Sequence, residues 1–473
     1  MNTRLLLLPM VVAWATALLP SCSLLLDLPA DCTPDDCNGF ACNDDSTECL
    51  FSCDTNAQCS DGHTCNSFTG NGICLPLGCD PITSIRPFLD AANSTLRMDT
   101  ALNGDGTLFA VAFIDASGNL KAQLFDIDGS PVGAILSLEA SSMTPGRPNL
   151  VWNGAGWGVV WEATGLAGNP GVERVRDLLR FAYINADGSL STSTTEGPEL
   201  PTTLWFTRDD ERSVDDPAVA WDSKADVFAA SWSTQLDANS DLYMLTFRQD
   251  GTSAVDGTSP IPHEEGVRIT LSEGDTFSPH IELRTQPDDQ PNLYDVVFRE
   301  GSNLVRLGLR TVDGSGNRVF GEDVDLGLNV GSSQIADFGY TSITTGNVTA
   351  FSERSAAFTK AYRVQLLPSR SIAQDNRFEI GVGLEDVVGT TVASAGSGEY
   401  AILFTANNLN SRGVYLTRYR DDGAPINTTF EVSDDTIFDP EHPVLQALPE
   451  GYAIFYTDSE NGAVGQIWTC SPP

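Results

Sequence analysis

Positive charge is scarce in this chain. Twenty-six Lys and Arg stand against 64 Asp and Glu over 473 residues, a formal net charge of −38. A field of that sign repels nucleic acid and anionic lipid headgroups, which excludes nucleic-acid binding as a function class, and it keeps an exported protein soluble. Histidine is scarcer still. Only His63, His263, His280 and His442 are present, so most metal sites and nucleophile triads are short of parts. The motifs His-Glu-x-x-His and Gly-x-Ser-x-Gly and the phosphate-cradling Walker loop are all missing. There is no Cys-x-x-Cys pair of the kind that holds zinc. After the first 22 residues no apolar run is long enough to span a bilayer. Carboxylates are the reverse case. Among 64 acids some pair always lies at a separation suited to glycosidic chemistry, so their abundance singles out none, and no catalytic residue is assigned from the sequence.

What the chain does have is one short strand, written seven times. The copies are FAVAFID (Phe109–Asp115), WGVVWEA (Trp157–Ala163), FAASWST (Phe228–Thr234), YDVVFRE (Tyr294–Glu300), NVTAFSE (Asn347–Glu353), YAILFTA (Tyr400–Ala406) and YAIFYTD (Tyr452–Asp458). The fifth position is aromatic in every copy (Phe113, Trp161, Trp232, Phe298, Phe351, Phe404, Tyr456) and the first in all but Asn347. Positions i and i+4 share a face on a strand as well as on a helix. These runs are short, rich in β-branched residues and mostly entered through Gly, Asn or Asp, which selects strand. Inner-strand entries with proline precede several copies, at Pro148, Pro217, Pro279 and Pro443, and Asp-Gly turns follow them at Asp128, Asp187, Asp250, Asp313 and Asp422. Asp-Gly supplies the positive φ of tight hairpins. With a weaker run such as Val267–Leu271 or Phe430–Val432, each unit holds four antiparallel strands. Seven such units repeated radially predict an all-β fold, a seven-bladed β-propeller over residues 80–473.

Residues 1–22 read as an export signal: Arg4, an apolar run from Leu5 to Leu19, then Leu19-Pro20-Ser21-Cys22. This resembles the bacterial lipobox, with Pro20 departing from the usual small residue. The resemblance implies lipidation of Cys22, and Ser23 after it resembles the pattern for delivery to the outer membrane. Cysteine parity agrees, since eleven cysteines cannot all pair internally and giving Cys22 to a lipid leaves ten. The expected location is therefore exported and lipid-anchored at the bacterial outer membrane or cell surface, where disulfides form.

A short tether, 23–31, leads to a module at 32–79 that holds nine of those ten cysteines and too few apolar residues for a core, so disulfides must constrain it. Cys53-DTNAQ-Cys59-SDGHT-Cys65-NSFTGNGI-Cys74, with Gln58 and Gly62, resembles the Dickkopf-type N-terminal cysteine-rich repeat. The third propeller unit, DDPAVAWDSKADVFAASWSTQLDANSDLYMLTFRQDGT, resembles repeats of exported bacterial surface lipoproteins reading P-x-V-A-W-D and then D-G. That resemblance implies a propeller and no particular chemistry.

The seventh unit ends at Cys470 after three strands. Its fourth should come from the N-terminal side, around Ile82 to Leu89, which makes Cys79 and Cys470 neighbours and predicts a ring-closing disulfide. Asp237, Asn239 and Asp241 give three hard oxygen ligands at alternate positions, a candidate Ca²⁺ site, and Asp99, Asn103 and Asp105 form a poorer one. No cofactor is otherwise required. His280 and His442 stand beside inner-strand prolines, where they could look into the channel mouth. The function expected first is a monomeric, non-enzymatic binding or adhesion module presenting a propeller face to a protein or polysaccharide. The alternative is a carbohydrate-active surface hydrolase or lyase with its site at the channel mouth, and a concave cluster of Arg, His and paired carboxylates there would favour it.

Overall fold

The computed structural model describes residues 63–66, 73–76, 79–82, 86–87 and 98–470, except 140–142, 168–173, 192–201, 208–212, 237–238, 256–265, 271–274, 302–304, 321–322, 327–333, 356–358, 370–371, 395–397, 409–410, 428, 434–438 and 460–461. Seven antiparallel sheets carry the chain from 98 onwards. Their inner strands are Asp99–Leu102, Met143–Trp152, Asp215–Asp222, Thr276–Arg284, Gln334–Ile343, Glu385–Ser394 and Glu441–Leu448. Each inner strand touches the next, and Glu441–Leu448 returns to Asp99–Leu102, so the ring closes as a seven-bladed propeller around a central channel.

The repeated aromatics explain how the blades stack. On each second strand the first, third and fifth residues share a face, and that face packs backwards onto the preceding blade. Phe228, Ala230 and Trp232 lie against Phe181, Tyr183 and Trp205 of blade 2, while Tyr294, Val296 and Phe298 lie against Ala220, Ala229 and Met244 of blade 3. Phe109, Val111 and Phe113 of blade 1 pack on Ala453, Phe455 and Ile467 of blade 7, which repeats the same interface across the chain ends. The second position faces forward, towards the next blade's first aromatic, and is small where that ring needs room. At Gly158 a Cβ would come 2.4 Å from Phe228 Cε1, so only glycine admits the ring. Blade 4 has Asp295 there, and the blade after it is the one whose aromatic is replaced, by Asn347. Tyr340 from that blade's inner strand donates to Asp295 Oδ2 at 3.4 Å instead.

Blade 7 is completed from the N-terminal side, with one correction to the sequence reading. The closing strand begins at Cys79 itself rather than after it: Cys79–Pro81 pairs with Gly462–Cys470, and Arg86–Pro87 pairs further along the same strand. Cys79 stands opposite Cys470 in this ladder and the two are joined by a disulfide. An antiparallel register brings the pair together directly, so the cysteine belongs inside the strand. Of the cysteine-rich module the structure describes a two-stranded ladder, His63–Asn66 with Ile73–Pro76, whose register sets Cys65 opposite Cys74. Cys22, the tether and the other module cysteines lie outside the described residues.

Candidate functional site at the channel mouth

Every inner strand begins on the face that carries the between-blade and second-to-third loops. In blades 3, 4, 6 and 7 it is interrupted there by a bulge opposite the fifth-position aromatic, two inner residues facing one. The residue that opens the bulge is left-handed each time: Asp216 (φ 49°), Ser278 (φ 50°), Gly389 (φ 63°) and His442 (φ 49°). Glycine, as in blade 6, takes this conformation without strain. Asp, Ser and His pay for it, at about 1–2 kcal/mol per residue, and bulged, strained polar residues concentrate where side chains are aimed at ligands.

Around this ring the polar groups of blades 1 to 4 form a continuous network. Glu162, near the end of the second strand of blade 2, bridges two blades: its Oε1 accepts the Arg147 N–H at 3.3 Å and its Oε2 the Asp216 N–H at 2.7 Å. Gly146 makes this possible, since a Cβ there would lie 1.9 Å from Glu162 Oε1. Burial, with the negative charges of Asp216 and Asp215, pushes the Glu162 carboxyl up to about 7. The Asp216 carboxylate accepts the Ser278 hydroxyl at 2.5 Å and faces Arg147 Nη1 at 3.9 Å. Arg299 donates to Ser278 Oγ and to the Ala336 carbonyl, with its guanidinium over the Phe277 ring at 4.5 Å.

One step deeper, Asp99 of blade 1 accepts the Leu150 N–H at 2.7 Å and the Asn149 amide at 2.9 Å, and Asn149 repeats the motif by accepting the Val219 N–H at 2.7 Å. Each thus satisfies an edge amide of the next inner strand. Burial raises Asp99 to about 6, with Arg147 opposing the rise. His280 occupies the equivalent position in blade 4 and is lowered to about 4 by burial and by Arg147, which keeps it neutral at physiological pH. Glu282, two residues on, rises to about 7, chiefly through burial. All three lie deep in the ring yet keep partial exposure, the signature of side chains lining a channel rather than a dry core.

The sequence-derived candidates are distributed unevenly. His280 and His442 both stand on inner strands. His280 lies within the field of Arg147, while His442 belongs to the far side of the ring, its Nε2 3.8 Å from Glu441 Oε2 beside Arg412 and Asp439. Of the calcium trio, Asp237 lies outside the described residues. Asp241 is buried, paired with Arg268 and hydrogen-bonded by Thr270, so its charge is already compensated within the blade. The alternate spacing arises because both residues sit on the same strand, Asn239–Phe247. In the poorer trio Asp99 serves the inner strands, and Asn103 and Asp105 hold their own turn through Thr107. Among the described residues no group of three or more His, Cys, Asp or Glu is arranged to hold a metal ion. The sequence reading passed over Arg147, Glu162 and Asp216. A signal for two of them was present: Arg147, Asp216, Ser278 and His442 are the four residues that precede the inner-strand prolines.

No family model matches the chain, and no curated protein matches it. Solved structures do. The BP39L lectin from Burkholderia pseudomallei is 12% identical with a TM-score of 0.50, the match covering 80% of this chain and 96% of the lectin. The NanB sialidase from Streptococcus pneumoniae is 11% identical with a TM-score of 0.40, covering 82% and 70%. The GH43 endo-arabinanase from Bacillus licheniformis is 13% identical with a TM-score of 0.30, covering 56% and 95%. The likeness to the lectin agrees with the propeller fold. At this identity it speaks to the fold alone.

Proposed function

We propose that this protein is a carbohydrate-active surface protein whose saccharide site is the channel mouth of blades 1 to 4, with Glu162 and Asp216 as its working carboxylates. The observation that supports this most is the asymmetry of the pair. The two groups meet at the interface of adjacent blades, where burial and the charges of Asp216 and Asp215 raise Glu162, while Asp216 accepts the Ser278 hydroxyl and lies 3.9 Å from Arg147 Nη1. Glycosidic-bond cleavage needs two carboxyl groups in different environments, one to protonate the leaving oxygen and one to act on the sugar's anomeric side. In that scheme the Glu162 proton passes to the departing glycosidic oxygen, water supplies the hydroxyl that replaces it, and the proton that water loses goes to Asp216. His280, being neutral, offers a hydrogen bond without competing for the proton.

The test is a panel of oligosaccharides incubated with purified protein, with products followed by mass spectrometry. Cleavage of at least one, lost in both Glu162→Gln and Asp216→Asn while both variants still melt cooperatively, is the expected result. Binding without cleavage would return the protein to the adhesion reading. Neither binding nor cleavage would remove the mouth as a saccharide site. We infer further that the chain is exported and held at the outer membrane by lipid on Cys22, so that Cys22→Ala releases it from the membrane fraction. An unmodified mature N-terminus beginning elsewhere would end that inference.

A further inference from the structure

We propose that Arg147 is the anchor for a carboxylate on the saccharide, so that the mouth selects a uronic-acid sugar over a neutral one. This rests on the reading of the mouth as a saccharide site and names its ligand class. Arg299 is committed to the fold, with Ser278, the Ala336 carbonyl and the Phe277 ring as partners. Arg412, across the ring, is paired with Asp439 at 3.1 Å and with Glu441 at 3.7 Å. Arg147 differs from both. Its backbone N–H is held by Glu162, but among the described residues its guanidinium has only the 3.9 Å approach to Asp216 Oδ1, beyond hydrogen-bonding distance.

A guanidinium carries five donors in a planar fork that matches a carboxylate in two parallel hydrogen bonds. At 35% exposure of the side chain, the 3.9 Å approach to Asp216 contributes little to stability. Its position is nonetheless fixed by the proline that follows and by the Glu162 bridge behind it, and its field reaches Asp99 of blade 1 and His280 of blade 4. It is a partly exposed guanidinium on a backbone held in place, in a chain of net charge −38.

The neighbouring acids decide when an anion can reach it. Around Arg147 stand Asp216, 3.9 Å from its guanidinium, Asp99 and His280, which feel its charge, and Glu162, which accepts its backbone N–H. Burial raises Asp99 to about 6 and Glu162 to about 7, so mild acid neutralises both. His280, lowered, stays neutral until the pH falls well below that range. Anion binding at Arg147 should accordingly strengthen between pH 8 and pH 5.5.

The experiment is calorimetric titration of the full-length protein at pH 6 with an oligoglucuronate, with its carboxyl-reduced oligoglucose counterpart, and with a sulfated oligosaccharide of equal length. Expected is preference for the oligoglucuronate, reduced about 10- to 100-fold in Arg147→Gln, the scale of a charge-assisted pair, with a smaller loss for the neutral oligosaccharide. Because the Arg147 side chain is partly exposed and its 3.9 Å approach to Asp216 is beyond hydrogen-bonding distance, Arg147→Gln should melt close to the parent, and Arg147→Lys should recover part of the binding. Equal affinity for the carboxylated and reduced sugars, stronger binding of the sulfated one, or no effect of Arg147→Gln would each overturn the assignment while leaving a saccharide site in place. If none of the three binds, the saccharide reading itself fails.

Discussion

The ring of this propeller is joined by a single covalent link, and severing it should lower stability by a calculable amount. Cys79 and Cys470 are 391 residues apart in sequence. In the chain-entropy treatment, cross-linking over a loop of that length removes from the unfolded ensemble freedom worth roughly 5–6 kcal/mol at 25 °C, an upper figure because measured losses fall at 2–5 kcal/mol. The hydrogen bonds beside the link cannot replace it. Of the six described closing residues, 79–82 and 86–87, two are prolines with no N–H to give, and the Ile82 N–H donates to the Ile467 carbonyl at 2.8 Å. The apolar face between blades 7 and 1 is untouched by reduction, since Phe109, Val111 and Phe113 still lie on Phe455 and Ile467. Cys470→Ser should therefore remain a folded propeller at room temperature, lose about 2–5 kcal/mol in guanidinium unfolding, and melt roughly 2–6 °C lower. Cys79→Ser should do the same, and the double substitution should add nothing further. A midpoint for Cys470→Ser indistinguishable from the parent would refute the reasoning, as would recovery of Cys470 bonded to any cysteine between Cys32 and Cys74 in non-reducing peptide maps.

Three further outcomes are expected. Glu282 is raised to about 7 from 4.5, so its contribution is fully present below about pH 4.5 and is lost as the pH rises through 7. Glu282→Gln should gain on the order of 1–3 kcal/mol at pH 8 and nothing at pH 4.5, read by urea unfolding at both pH values. A loss at pH 8 would show that its charge is compensated. Gly158→Ala puts a Cβ 2.4 Å from Phe228 Cε1 and should cost about 1–3 kcal/mol, part of which Phe228→Leu restores in the double variant; additive losses would deny the contact. His442→Gly relieves a left-handed histidine, at φ 49°, and should melt no lower than the parent in a thermal scan, whereas His442→Val should melt lower.

The sequence by itself determined the architecture. Seven aromatic strands, 48 to 71 residues apart, specify seven blades because the aromatic face of each second strand must be buried, and the apolar surface that recurs with it is the preceding copy. It also determined the closure, since a seventh blade short of one strand leaves an unpaired edge that the N-terminal residues after the module must cover. Tertiary structure decided the register of that closure and the composition of the mouth. The spacing along one strand could not show that Asp241 is paired with Arg268, 27 positions away. The same non-locality hid the site. Glu162, Asp216, Asp99, Arg147 and His280 come from four different blades, and each is an ordinary polar residue in its own repeat. Only the packing of successive blades sets them around one opening, where burial and mutual charge give them properties that no single blade has.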